Sequence, residues 1–411
     1  MSLEKGLRWV QKTFSLEPQW TIQPQLDTIE EEVAEIKHIQ VVDISLLAQG
    51  AFNKIYNVEA GKETLIIRVS LPVDPLFKTQ SEVATLNWVK HNTLLPVPDV
   101  IAYQSNRERT PIGFEWILMT KVQGETLREA WHSMDFDAKE TLVSLFAEYS
   151  RSVFRNQQRS IGNLYPNTGS DIGRIVSMLF FWGDNIHQDV SRGPFRSSRE
   201  WMAARIALHE YDCNRVITTG QDEDDREEAE RIKEIIAKLK AQLNSVFPLG
   251  VDGEPSMILH DDLSDHNILV NAGKLTGVVD WECVSAMPLW KACNHPCFLE
   301  GKTRKTKPDV SRYKLEANGQ PNELYWEHLK DYELTRLRKY FLDQMRRLEP
   351  MWIEVYETSQ LQRSFDTALH HSDDIFMARF INSWLDDMAK TEDKNSVKSI
   401  EERYEEDEAQ Y

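Results

Sequence analysis

Ile258-Leu-His-Asp-Asp-Leu-Ser-Asp-His-Asn-Ile-Leu-Val270, then Asn271-Ala-Gly-Lys274, then Leu275-Thr-Gly-Val-Val-Asp-Trp-Glu282, is the stretch whose reading decides the fold. Five ionisable side chains (His260, Asp261, Asp262, Asp265, His266) sit directly between two apolar runs. Burying such a cluster is expensive unless its members bind something. Ile268 to Val270 reads as a short strand, Asn271 to Lys274 as a turn, and Leu275 to Asp280 as the returning strand. A hairpin of that length brings Asp280 back to the level of Asn267. It presents one carboxylate in a loop, one amide five residues later, and a second carboxylate across the hairpin. Mg²⁺ takes oxygen ligands of this kind while keeping waters and substrate phosphates in its octahedron. Asp262 is then free to accept a proton from an attacking hydroxyl. A metal-holding pair and a base are the parts that phosphoryl transfer requires.

Upstream the texture is β-rich. Val41 to Leu47 precedes a turn at Gly50, Lys54 to Glu59 alternates, Ala60-Gly-Lys62 is a hairpin turn, and Thr64 to Ser70 alternates again. A helix is expected from Thr79 to His91 and a strand from Phe114 to Met119. From Gly124 helical periodicity dominates, interrupted between 160 and 198 and by the β-rich island at Met257 to Trp281. The expected class is α+β with two lobes. Residues 1–40 form a helical extension, 41–120 a small β-rich N-lobe, 121–390 a larger, mainly helical C-lobe, and 391–411 an acidic tail.

His260-Asp-Asp262-Leu-Ser-Asp-His-Asn267 resembles the H-x-D-x-x-x-x-N catalytic loop of the protein-kinase-like fold. Val279-Asp280-Trp281-Glu282 resembles the I-D-W-E metal-binding segment of the aminoglycoside phosphotransferase and choline kinase group. Fungal members look most similar, through Gly193-Pro-Phe195 and Trp290-Lys-Ala292. The resemblance covers residues 41 to 300. It implies a bilobal enzyme using ATP and Mg²⁺, with Asp262 as catalytic base, Asn267 and Asp280 on the metal, and His260 as a brace of the loop. In the N-lobe it implies that Gly50 lies in the phosphate-covering loop. Arg68 stands where a phosphate-contacting Lys is usual, Glu82 is its ion-pair partner, and the linker Met119-Thr-Lys121-Val122 offers backbone groups to adenine. The acceptor is expected to be a hydroxyl of a small molecule resembling an aminoglycoside, choline or a sugar.

Three departures from the pattern are Asp261 in place of Gly, Arg68 in place of Lys, and a loop with one glycine. They motivate the competing expectation, a non-catalytic nucleotide-binding scaffold of the same fold. A protein kinase is disfavoured, because Trp281-Glu282 replaces Phe-Gly and no A-P-E closes an activation segment. Val284 to Cys297 reads instead as an apolar helical stretch.

Composition narrows the partners. The 411 residues carry 48 Lys and Arg against 66 Asp and Glu, a net charge of −18. That balance excludes a polyanion binder that works by neutralising phosphates, so no nucleic-acid partner is expected. Asp222 to Glu230 contributes −6 and Glu401 to Tyr411 contributes −5. The first run opens a helix, where acids suit the positive end of the dipole, and the second is a frayed tail. Four Cys do not make a disulfide framework, which points to a reducing compartment. No apolar run is long enough for membrane insertion. The expected location is the cytoplasm; Lys5, Arg8 and Lys12 resemble a mitochondrial transit peptide only faintly, with Glu4 and Glu17 opposing. Two further segments are read as structural, His370-His-Ser-Asp-Asp374 as a helical polar patch and Cys293-Asn-His-Pro-Cys297 as a cysteine pair without zinc spacing. Arg192-Gly-Pro-Phe-Arg196 is either a wall of the acceptor pocket or a packed loop. Asp265 and His266 are expected to face solvent or acceptor.

Overall fold

The computed structural model describes residues 4–12, 15–166, 172–250 and 253–408. The N-terminal part contains β1 (Leu7–Gln11), β2 (Leu16–Trp20), α1 (Leu26–Lys37), β3 (Val41–Gln49), β4 (Asn53–Ala60), β5 (Glu63–Ser70), α2 (Phe77–Asn92), β6 (Val100–Gln104) and β7 (Glu115–Thr120). Strands β3 to β7 form one antiparallel sheet in the order β3-β4-β5-β7-β6. Successive strand residues face opposite sides, and β5 uses both. Leu65, Ile67 and Val69 join the core made with Ile29 and Val33 of α1 and Leu7 of β1. Ile66 points the other way, to Val83 of α2 and to Ile117 and Met119 of β7. Arg68 has the parity of Ile66, so the pleat turns it toward α2.

The extension before Val41 is not helical throughout. β1 and β2 make an antiparallel hairpin with Trp9 opposite Pro18. In a two-stranded ribbon both strands are edges, which accommodates the proline.

Helices dominate after the linker. In order the elements are β8 (Glu125–Thr126), α3 (Leu127–Ala130), α4 (Phe136–Arg155), β9 (Asn163–Leu164), β10 (Ile172–Gly173), α5 (Met178–Phe181), α6 (Ser198–Thr219) and α7 (Glu223–Val246). β11 (Ser256–Leu259), β12 (Ile268–Asn271), β13 (Lys274–Val278), β14 (Ser285–Pro288) and α8 (Leu289–Ala292) carry the island. The lobe is completed by α9 (Glu323–Leu348), α10 (Pro350–Thr358), α11 (Gln360–His370), α12 (Ala378–Lys390) and α13 (Ile400–Glu408). Phe146, Trp281, Phe341, Trp352 and Trp384 lie in one continuous core. Leu86 and Val89 of α2 reach that core while Val83 serves the sheet, so α2 belongs to both lobes.

Two further expectations are corrected here. Val284 to Cys297 is not a helix. Ser285–Pro288 is a strand paired with β11, and only Leu289–Ala292 is α-helical. The edge of β11 needs a partner for its backbone groups, and Ser285 to Pro288 is fully buried in supplying it. The acidic tail is helical from Ile400 to Glu408, and its last residues, 409–411, lie outside the described residues. Ile400 is buried, and Arg403 donates to Asp387 at 2.7 Å and to Ser383 at 2.7 Å. Asp222 caps α7 by accepting from the Asp224 N–H, and the acids that follow line an exposed first turn. No described helix is long and apolar enough to cross a membrane.

Candidate active site

The β12–β13 hairpin turns through Ala272 and Gly273, both at positive φ (48° and 72°), as a two-residue hairpin turn requires. Ile268 pairs with Val278, and both are buried. The Val279 N–H then donates to the Asn267 carbonyl at 2.9 Å, which fixes Asp280 one residue beyond Asn267's level. Asp280 has φ 62°, a left-handed conformation that Asp tolerates better than most residues. This turn lifts its carboxylate off the hairpin, leaving the side chain 43 % exposed.

The loop before β12 is braced from beneath. His260 is buried, its Nε2 lies 3.2 Å from the Val279 carbonyl, and its ring meets Trp281 edge-on at 4.7 Å. Trp281 donates in turn to the Val278 carbonyl at 2.9 Å. Asp262 is exposed at the loop's crest. Asn267 Nδ2 donates both to the Asp262 backbone carbonyl (2.9 Å) and to its Oδ2 (3.0 Å). Because the amide nitrogen is committed to Asp262, the Asn267 Oδ1 remains as the donor atom for a cation. Asn267 and Asp280 together offer hard oxygen atoms of the type Mg²⁺ selects, and two protein ligands suffice where phosphates complete the shell.

Arg68 and Glu82, expected to pair, form a buried ion pair between β5 and α2. Arg68 also reaches the hairpin, with Nη1 3.8 Å from Asp280 and 4.0 Å from Glu282. The remaining N-lobe candidates are distributed differently. The Gly50 N–H donates to the Asn53 carbonyl at 3.0 Å, and a Cβ there would meet nothing within 4 Å, so the loop is open above. Met119 is buried against Val83 and Ile117. Lys121 turns back to the sheet, donating to Asn57 Oδ1 at 2.9 Å. The side chains of Met119 and Lys121 are therefore occupied within the N-lobe.

Three residues of this centre were not singled out as site residues from sequence: Asn53, Lys78 and Glu282. Lys78 is 2 % exposed on α2, and its Nζ lies 2.5 Å from Glu282 Oε2. Asn53 Nδ2 donates to the same oxygen at 2.7 Å. Lys78 precedes the helix expected from Thr79; α2 instead starts at Phe77, which puts Lys78 and Glu82 on one face at i, i+4. Burial opposes ionisation of Glu282, but Lys78 and Arg68 outweigh it and hold the carboxyl low. Desolvation of the enclosed part of the Asp280 side chain raises its carboxyl, with the Glu282 charge adding to the rise and Arg68 and Lys78 opposing it.

Asp265 departs from expectation. It is 7 % exposed and accepts from Lys330 at 2.7 Å and Arg128 at 3.2 Å, while its carbonyl accepts from the Arg128 N–H. It therefore anchors the loop before β12 to α3 and α9. Arg192 is likewise structural, donating to the carbonyls of Phe180, Asn185 and Val190. In the cysteine segment, Cys293 is buried and His295 lies between Phe341 and Tyr356. His370 closes α11, with the residues after it in a turn rather than a longer helix.

Burial pushes the His260 imidazole down to about 4, with the Val279 carbonyl and Asp262 opposing. Between that value and about 6.5 the unfolded chain binds the extra proton, so stability held above pH 6.5 is lost as pH falls. We expect the stability difference between wild type and His260→Asn, from urea unfolding, to narrow by about 2 kcal/mol from pH 7 to pH 5. A difference independent of pH would contradict the buried neutral imidazole.

Comparison with known proteins places the chain in a family. A model of the phosphotransferase enzyme family, APH, matches residues 43–291. The chain belongs to the APH phosphotransferase family. The match spans both the Arg68–Glu82 pair and the β12–β13 hairpin. A subtelomeric hrmA-associated cluster protein of Aspergillus fumigatus is 27 % identical over 308 residues, covering 62 % of this chain and 60 % of the relative. The clavilactone A biosynthesis cluster protein Y of Ampulloclitocybe clavipes is 26 % identical over 263 residues, covering 58 % and 59 %. The chain thus spans about six tenths of the length of these relatives. Among solved structures, a thermostable mutant of aminoglycoside phosphotransferase APH(4)-Ia, in complex with AMP-PNP and hygromycin B, has a TM-score of 0.47 at 15 % identity, covering 89 % of this APH-family chain and 99 % of its own.

Proposed function

We propose that this APH-family protein transfers the γ-phosphoryl group of ATP to a hydroxyl of a small molecule. The observation that carries the reading is the pair of hydrogen bonds from Asn267 to Asp262, together with the Val279–Asn267 bond that sets Asp280 beside them. Base and metal-type donors are thereby held in one rigid unit.

In this reading Asn267 and Asp280 would hold Mg²⁺, which would supply charge neutralisation of the nucleotide phosphates. The protein's own groups do the rest. Asp262 orients the acceptor hydroxyl and takes its proton as the oxygen attacks the γ-phosphorus. The new P–O bond forms as the bond to the β-phosphate oxygen breaks, and ADP leaves with the electron pair. Arg68, steadied by Glu82, faces the phosphates. The open loop at Gly50 lies over them, and the backbone of Met119 to Val122 meets adenine. The Asn267 amide keeps the Asp262 carboxylate in one orientation.

ADP formation, measured over a panel of aminoglycosides, amino alcohols and sugars with and without Mg²⁺, tests the proposal. We expect at least one acceptor to raise ADP formation only when Mg²⁺ is present. A panel that leaves the rate at the acceptor-free level, with nucleotide bound, would instead favour a non-catalytic scaffold.

A further inference from the structure

Lys78 is an unusual residue to find buried. A lysine is almost never fully removed from solvent unless it is paired, and Lys78 is 2 % exposed. Its partners come from two lobes. Nζ lies 2.5 Å from Glu282 Oε2 and 3.1 Å from Asn53 Oδ1. Asn53 completes a triangle by donating to Glu282 Oε2 at 2.7 Å, and Ser70 Oγ donates to Asn53 Oδ1 at 2.8 Å. Both polar atoms of the Asn53 side chain are thus committed. Asn53 stands three residues after Gly50, at the foot of the loop over the proposed phosphate site, whereas Glu282 follows Asp280 by two.

The residue before Asn53 is tied to the C-lobe as well. Phe52 packs edge-on against Phe181 at 5.4 Å and against Trp182 at 5.9 Å. The foot of the loop therefore has two consecutive attachments, one apolar and one ionic, to segments far away in the chain.

Charge matching gives the ionic attachment a role. Between sheet and hairpin, Arg68 and Lys78 form the ion pairs to Glu82, Asp280 and Glu282, and the Lys78 charge also acts on Asp74 and Glu115. Arg68 is committed to Glu82. Lys78 is the cation in closest contact with Glu282, so Arg68 is not drawn away from Glu82 toward the hairpin and Asp280 keeps its carboxylate available.

We infer that Lys78 is a positioning residue which, with Asn53, clamps Glu282 and so fixes the metal-binding segment at a set distance from the phosphate-covering loop. The inference rests on the proposed use of Mg²⁺ and ATP. The hydrogen bonds of the Lys78 ammonium go to Glu282 and Asn53, so it acts through Glu282.

Binding of ATP, measured by calorimetry in Mg²⁺ and again in EDTA, tests it. Wild type is expected to bind ATP more tightly in Mg²⁺. Lys78→Met is expected to lose about 10- to 100-fold of that gain, the range found for outer partners of metal ligands, with affinity in EDTA close to that of wild type. Lys78→Arg is expected to retain the gain. A merely structural Lys78 would lower the unfolding temperature and leave the Mg²⁺ gain intact, which would overturn the inference. Asn53→Ala reads the same ratio should Lys78→Met fail to fold. No Mg²⁺-dependent binding in wild type would overturn both this inference and the proposed function, whereas a wild-type gain preserved in the variants overturns this inference alone.

Discussion

Replacing Asp262 by Asn is expected to lower turnover with the acceptor by about 10²- to 10⁴-fold, the contribution of a positioned general base. The substitution is nearly isosteric. The Asn267 amide donates to the backbone carbonyl as well as to Oδ2 of Asp262, and the amide oxygen of the introduced side chain can take the second bond. The loop is further held by His260 on Val279 and by Asp265 on Lys330 and Arg128. Fold and ATP affinity should therefore survive, and the loss should appear in kcat rather than in nucleotide binding. Single-turnover rates and calorimetry on the same preparation separate the two. Wild-type turnover in Asp262→Asn would remove Asp262 from the chemistry.

The second large effect is on stability. Arg68 and Glu82 are 4 % and 2 % exposed, and they join the central strand of the sheet to the helix that serves both lobes. Removing one partner leaves the other charge buried, which costs about 3–5 kcal/mol. Arg68→Met, which strands Glu82, is expected to lower the urea unfolding free energy by that amount, and Glu82→Leu by less, because Arg68 keeps Asp280 and Glu282 within 4.0 Å. The double variant should recover much of it, because no stranded charge remains. Its ATP binding should not recover, since Arg68 also faces Asp280 and Glu282. Additive losses in the double variant would contradict a coupled buried pair.

Legibility from sequence followed the range of the contacts. The β12–β13 hairpin was readable because its parts are local: an apolar strand, a polar loop, a turn at Asn271 to Lys274, and a returning strand whose length brings Asp280 back near Asn267. The sheet strands were readable from alternation, which also gives Arg68 the parity of the α2 side. Lys78 and Asn53 were not, since their common partner Glu282 lies far along the chain from both. The helix carrying Lys78 also buries Thr79, Ser81, Glu82 and Thr85, polar residues that give no apolar stripe to mark the buried face. The position of α2 between two lobes makes that face an interior one.

Errors elsewhere have the same origin. Ser285–Pro288 is too short to show a period of two against a period of 3.6, and its strand conformation follows from pairing with β11. The charge of the tail hides its docking groups: Ile400 is buried, its N–H bonds Ser364 of α11, Tyr404 meets Phe380 of α12 edge-on at 5.7 Å, and Arg403 donates to Ser383 and Asp387 of α12. Asp265 sits in a polar loop that reads as exposed, and two cations from distant helices bury it. The charge of −18 was likewise a weak guide to the site, because −11 of it lies in Asp222 to Glu230 and Glu401 to Tyr411.

The central claim is that a phosphoryl group passes from ATP to a small molecule under the control of Asp262. It is tested most directly by incubating the protein with γ-¹⁸O-labelled ATP, Mg²⁺ and the acceptor panel, and following the label by mass spectrometry. The expected result is label on a hydroxyl of one acceptor class with wild type and none above background with Asp262→Asn. Label found only in inorganic phosphate or on the protein, or equal transfer by the variant, would contradict the account.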